Sequence, residues 1–155
     1  MTLPGDRTPR GSRRATRNEA PPTGATRGLE SSDGAAIRRR GAQRGEDAAA
    51  AHLERLGYRV LARNLRLGHD EIDLLAVDPD ERTVVVVEVK FRARPSARPE
   101  DRVDATKRHR LSRAALQLST KRPFIGAPFR FDVISVVESP EGPLVEHWRS
   151  AFDAA

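Results

Sequence analysis

Two uninterrupted apolar runs, Ile72–Val77 and Thr83–Phe91, stand on either side of a polar, Pro-containing stretch at Asp78–Arg82. Runs of this length, rich in Val, Ile and Leu and separated by turn-forming residues, predict a β-hairpin. Strand side chains alternate between faces. Glu71, Asp73, Leu75 and Val77 therefore share one side of the first strand. On the second, Val84, Val86, Glu88 and Lys90 share a side, against Val85, Val87, Val89 and Phe91. A turn symmetric about Asp80–Glu81 pairs Asp78 with Thr83 and so sets Asp73 opposite Glu88. A slip of one residue separates them.

Helical spacing marks two further elements. Ala42, Glu46, Ala49, Leu53 and Leu56 follow one another at steps of four and three, which predicts a helix over 41–57 ended by Gly57. Val103, Lys107, Leu111, Ala114 and Leu118 predict a second helix over 103–119. Each apolar stripe holds one charged residue, Glu46 in the first and Lys107 in the second. Tyr58–Leu65 and Phe129–Val137 read as strands, and Leu144–Arg149 as a short final one. Asp132 falls on the opposite face from Phe131 and Val133, where a structural hydrogen-bonding role is expected. A sheet this apolar needs cover on both faces, so the order helix, three strands, helix, two strands predicts a three-layer α/β domain with a mixed central sheet.

Residues 1–40 are rich in Pro, Gly, Ser, Thr and Arg and nearly lack large apolar side chains, which predicts a disordered tail ahead of a domain over 41–155. The tail carries nine arginines against four acidic residues. It accounts for nearly all of the formal charge of +6, so the overall basicity says little about the domain. The chain has no cysteine, which removes disulfides and thiolate zinc sites and fits a reducing cytoplasm. No apolar run approaches a membrane span, so no membrane association is expected. The four histidines, His52, His69, His109 and His147, lack zinc-ligand spacing.

The chemistry sits in the hairpin. Opposed carboxylates on a Val-rich sheet repel each other and lose solvation. A divalent cation removes both penalties, and two carboxylates with a neighbouring backbone carbonyl suit Mg²⁺ or Mn²⁺. Lys90 then supplies a positive charge for an attacking water or a phosphate. The same residues also suit a solvated strand face with one Glu–Lys pair. Between Lys90 and Arg113 nine basic residues meet three acidic ones. Arg92, Arg94, Lys107, Arg108 and Arg110 could form a phosphate-contacting rim or a solvated loop and helix face.

Taken together, RGEDAAAAHLERLGYRVLARNLR, EIDLLAVD, VVVVEVKFR, DATKRHRLSRAALQL, FRFDVISV and the closing HWRSAF resemble the YraN family of bacterial proteins. That family is a branch of the restriction-endonuclease-like superfamily related to Holliday junction resolvases, and the resemblance spans about residues 41–153. It implies a metal-dependent endonuclease that hydrolyses DNA phosphodiesters, with branched DNA in recombination or repair as a candidate substrate. It assigns Asp73 and Glu88 to the metal, Glu46 to completing the acidic cluster, Lys90 to positioning the water, and Lys107 to the basic position of the following helix. A symmetric homodimer is implied as well. One departure stands out: Asp70 occupies the glycine position of the family's Gly-Glu-Ile-Asp, with Gly68 two residues earlier. Two other classes fit the chain, a non-catalytic nucleic-acid-binding module on the same fold and a partner-binding protein whose charged strand face is merely solvated.

Overall fold

Five strands form one sheet in the order in which they follow along the chain, β1 (Arg59–Leu67), β2 (Asp70–Val77), β3 (Val84–Arg92), β4 (Phe129–Val137) and β5 (Leu144–Phe152). Helices α1 (Ser32–Arg55) and α2 (Ala105–Ser119) complete the computed structural model, which describes residues 32–92 and 103–155. Residues 1–31 of the disordered tail expected over 1–40, and Arg94 of the expected basic rim, lie outside the described residues, whereas residues 32–40 of that tail are helical. β1, β2 and β3 form an antiparallel meander, β3 and β4 are parallel, and β5 returns antiparallel to β4. A parallel pair needs a crossover, and α2 supplies it. Asp104 caps α2, its carboxylate accepting from the Lys107 N–H at 2.8 Å.

The alternation of the β3 valines divides the interior in two, as the hairpin reading expects. Val84 and Val86 pack with Leu75, Phe131 and Val133 beneath Leu111, Ala114 and Leu118 of α2. Val85 and Val87 pack with Leu74, Ala76, Ile134 and Val136 beneath Ala49, Ala50 and Leu53 of α1. The sheet is therefore covered on both faces, one helix to each, in a mixed three-layer α/β arrangement. Full burial of each Val or Leu is worth roughly 1.5–3 kcal/mol, and both faces of β3 contribute.

α1 departs from the expected stripe in two ways. It begins at Ser32, so the 40/41 boundary falls inside a continuous helix. Its sheet-facing side is also Gly41, Gly45, Ala49 and Leu53, while Ala42 and Leu56 are exposed. The reason is Phe91, whose side chain fills the space beside both glycines. A Cβ built on Gly45 would stand 2.9 Å from the Phe91 Cβ, and one on Gly41 2.8 Å from Cε1. Helical glycine costs about 1 kcal/mol relative to alanine, and here that cost admits a ring into the helix–sheet seam.

The expected structural role of Asp132 is borne out. Its buried carboxylate (0% exposed) accepts from Arg130 Nε and Nη2 at 2.8 and 2.9 Å and from the Ser150 N–H at 3.0 Å, and it pairs with His147 Nε2 at 2.9 Å. Burial alone raises this carboxyl, but Arg130, His147 and the Ser150 amide outweigh it and hold the group down at about 2. Arg130 also bonds Asp78 at 2.5 Å and the Tyr58 hydroxyl at 3.1 Å, tying β4 to the hairpin turn and to the start of β1. The Ser150 bond spans a register shift between β4 and β5, where Ser150 itself has φ +50. β5 consequently runs through to Phe152 rather than stopping at Arg149, and Phe152 stacks on Phe131 with centroids 5.0 Å apart.

Two stability outcomes follow. Gly45→Ala should lower the urea-denaturation free energy by roughly 1–2 kcal/mol, because Phe91 Cβ cannot swing aside as a ring edge can. Gly41→Ala, facing that ring edge, should cost less; equal losses would show that Phe91 does not dictate the glycines. Asp132→Ala removes two of the hydrogen bonds of Arg130, leaving Asp78 as its ion-pair partner, and removes the carboxylate partner of His147, and should cost about 3–5 kcal/mol by the same measurement.

Candidate active site

β2 and β3 begin at the hairpin turn, where the Asp78 N–H donates to the Thr83 carbonyl, and stay paired as far as Leu74–Val87. The same register sets Asp73 opposite Glu88 at a non-hydrogen-bonded position, where facing side chains approach most closely. The next hydrogen-bonded position would give the Val89 N–H to a β2 carbonyl, but the Asp73 carboxylate takes it instead at 2.8 Å. The strands separate there, and the gap between them is lined by two acids.

Lysines from two elements close over those acids. Lys90, two residues along β3 from Glu88, sets its Nζ 2.8 Å from Glu88 Oε1. Lys107, from the first turn of α2, sets its Nζ 2.8 Å from Glu88 Oε2 and 3.9 Å from Asp73 Oδ1. Glu88 is only 4% exposed, and despite the ion pair its Oε2 accepts no hydrogen bond of good geometry. Asp73 fares worse. Burial and the neighbouring Glu88 charge push its carboxyl up to about 7, against the opposing pull of the Val89 N–H and Lys107. Lys107 neutralises the nearer acid, Glu88, and leaves Asp73 facing a carboxylate. Burial tends to lower Lys107, but the attraction of Glu88 and Asp73 prevails and its ammonium is held above the ordinary lysine value.

Asp73, Glu88, Lys90 and Lys107 are thus brought together as expected. Glu46 is not among them. α1 lies on the other face of the sheet, and the Glu46 carboxylate accepts from Asn64 Nδ2 at 2.7 Å. Asn64, at φ +49, stands between the pairs Arg63–Leu74 and Leu65–Ile72, which sets it beside Asp73. Glu46 therefore reaches the neighbourhood of the acids through Asn64 without joining them. Arg110 is exposed near the start of β2, Arg92 is half-buried, and Arg108 is taken up by the fold, donating to the Val103 carbonyl at 2.9 Å and lying 5.6 Å over the Phe152 ring.

The sequence reading missed a supporting pair. Asp70, 3% exposed, accepts from Arg113 Nε at 2.7 Å and Nη2 at 2.5 Å, a bidentate clasp between the start of β2 and α2. The Arg113 hydrogen bonds hold the Asp70 carboxyl below the ordinary value. The positive φ of this turn falls on Gly68 (+63), so position 70 needs no glycine and is free to carry an acid. The signal was present as the Asp-for-Gly departure, but only the fold supplies its arginine. Glu71 is a second such neighbour: it adds negative potential at Lys107 and pairs with Arg66 at 3.7 Å.

Among the described residues no group of three or more His, Cys, Asp or Glu could cage a metal ion. Mg²⁺ and Mn²⁺ do not require a cage. Mg²⁺ in particular keeps several waters and binds through one or two carboxylates together with substrate phosphates. Asp73 with its elevated carboxyl and Glu88 with an unsatisfied oxygen fit that requirement.

Residues 45–136 match the model of the uncharacterised protein family UPF0102. Among curated proteins, the chain is 42% identical over 114 residues to a UPF0102 protein of Geobacter sulfurreducens, covering 72% of this chain and 88% of that one. It is 42% identical over 117 residues to one of Rhodopirellula baltica, covering 72% and 70%. A third, from Bacteroides thetaiotaomicron, is 41% identical over 109 residues, covering 70% and 88%. The matched span includes Glu46, Asp73, Glu88, Lys90 and Lys107.

The elevated Asp73 carboxyl has a pH signature. Below 3.8 the folded and unfolded chains both hold its proton, whereas between 3.8 and about 7 only the folded chain does. Stability from this group is therefore full in acid and is lost as pH rises through 7. In chelator, Asp73→Asn should gain roughly 2–4 kcal/mol over the wild type across that window. Urea denaturation at a series of pH values reads it, and a stability difference that does not change with pH would exclude the elevated carboxyl.

Proposed function

The chain belongs to the UPF0102 family, which is the YraN family, and we propose that it is a metal-dependent endonuclease acting on DNA phosphodiesters. The observation that carries the reading is the Asp73–Glu88 pair in the gap between β2 and β3, with Lys90 and Lys107 on it. A buried Glu88 facing a half-buried Asp73 is a costly arrangement, and perturbed carboxyls of this kind concentrate at functional sites. Asp73 and Glu88 would hold Mg²⁺ or Mn²⁺. The ion would supply a more acidic bound water and a positive charge for the phosphate oxygens.

The remaining work falls to the protein's own groups. Lys90 Nζ, anchored on Glu88, orients the attacking water in line with the scissile bond and favours its deprotonated form. Lys107 Nζ, 2.8 Å from Glu88 Oε2, would neutralise charge developing on the phosphoryl oxygens. The Val89 N–H fixes the orientation of the Asp73 carboxylate, so the ligand is organised beforehand. Asp70–Arg113 holds α2, and with it Lys107, against the start of β2. An action on chromosomal DNA sets the protein in the cytoplasm, and branched substrates are favoured by the resolvase resemblance.

A second reading has its own observation. Glu46, the third acid of the superfamily pattern, is engaged by Asn64, and Glu88 already has two lysines, which suits a nucleic-acid-binding module without catalysis. One experiment separates the two. Wild type, Asp73→Asn and Lys90→Gln are incubated with linear and four-way-branched DNA in Mg²⁺ or Mn²⁺. The expected result is cleavage by the wild type and a rate loss of roughly 10²–10³-fold in either variant. Undiminished cleavage in both variants overturns the site, and salt-sensitive binding with no cleavage by any of the three supports the module.

A further inference from the structure

We propose that the first turns of α1 form a basic arm that grips the phosphate backbone of DNA flanking the acidic site. The inference rests on the nucleic-acid reading above and extends it to a surface the family match, starting at residue 45, does not include. α1 is one continuous helix from Ser32 to Arg55, and at Gly41 and Gly45 it lies against Phe91. Ahead of these, Ile37, Arg38, Arg39 and Arg40 are all exposed.

The direction of the helix makes the arm relevant to the site. Its C-terminal end lies by the hairpin turn, with Gly57 close to Pro79. Its other end meets Phe91, the residue after Lys90, and Arg44 pairs there with Glu138 just beyond β4. The helix then continues past the end of β3 for nine more residues, roughly 13 Å at 1.5 Å per residue. Glu88 lies about 10 Å back along β3 from Phe91. Along that direction the arginines stand on the order of 10–25 Å from the acids, or about three to seven base pairs of duplex.

The charge pattern calls for an anion. Arg39 and Arg40 have no acidic residue at helical spacings of three or four, and Arg40 and Arg44 are like charges four apart, which opposes the helix. Asp33 is the one acid between residues 32 and 45. Three consecutive arginines also fan over more than half the helix circumference. That arrangement suits a backbone of phosphates better than a single carboxylate. An anionic bilayer is the weaker fit, because Ile37 is the one large apolar side chain of the arm and no apolar face exists to enter the lipid.

The test is equilibrium binding of the full chain to a labelled duplex of about 30 base pairs in chelator, from ~50 to ~300 mM KCl. Arg38, Arg39 and Arg40 are replaced together by Gln, which keeps helix propensity, and in a second variant by Lys, which keeps charge. The Gln variant should bind roughly 10–100-fold more weakly at low salt, with a log K against log[KCl] slope shallower by about 2–3. The Lys variant should keep the wild-type slope. Where the wild type cleaves, the Gln variant should retain its maximal rate at saturating DNA, since the arm does not touch the acids. An unchanged slope in the Gln variant overturns the arm while leaving the nuclease reading intact. A wild type that binds no DNA overturns both. Loss of binding to phosphatidylglycerol vesicles, with DNA binding unchanged, reassigns the arm to a membrane surface.

Discussion

Two carboxylates face each other across β2 and β3, and much of the architecture answers the repulsion between them. Asp73 takes the Val89 amide out of the ladder, so the strands part where the acids meet. Glu88 draws Lys90 from its own strand and Lys107 from α2. Asp70 and Arg113 clamp that helix to the start of β2. Without those cations, charges of one sign would be left beside the valine core, where repulsion and desolvation add. The valines of β3, buried alternately under α1 and α2, continue into Glu88, itself only 4% exposed.

Asp132 shows what a settled buried acid looks like in the same protein. Four donors or partners surround it, and its carboxyl is held at about 2 although burial opposes this. Asp73, less deeply placed, is pushed up to about 7 by burial and by the neighbouring Glu88 charge, which its own donors do not offset. The two differ in how completely their surroundings answer the charge. The first welds β4 to β5 and to the hairpin turn, and the second remains available to a ligand. One acid is thus thoroughly satisfied while the other is left in conflict with a neighbouring charge.

α1 joins scaffold and function differently. Its glycines exist for Phe91, and the seam they form fixes where the helix leaves the sheet. Ahead of that point Ile37, Arg38, Arg39 and Arg40 are exposed, so this stretch of the helix surface is arginine-rich. The same rigid element thus packs Leu53 into the interior and carries charge past the end of β3.

The existence and order of the strands, the hairpin register and the meeting of Asp73 with Glu88 were legible in the sequence, because period-two alternation and a short symmetric turn are local constraints. The sequence also marked Lys107 as a charge on an apolar stripe, and the fold turns it toward the acids. It did not reveal where α1 begins, since Ser32–Arg40 offers only Ile37 to an apolar pattern. Nor could it choose the helix face, which Phe91 decides from forty-odd residues away. The partner of Asp70, the diversion of Glu46 to Asn64 and the closing of Arg130, His147 and Ser150 on Asp132 were likewise tertiary decisions. Each joins residues far apart in the chain, and such pairings follow from how the strands and helices are stacked, which no local periodicity encodes.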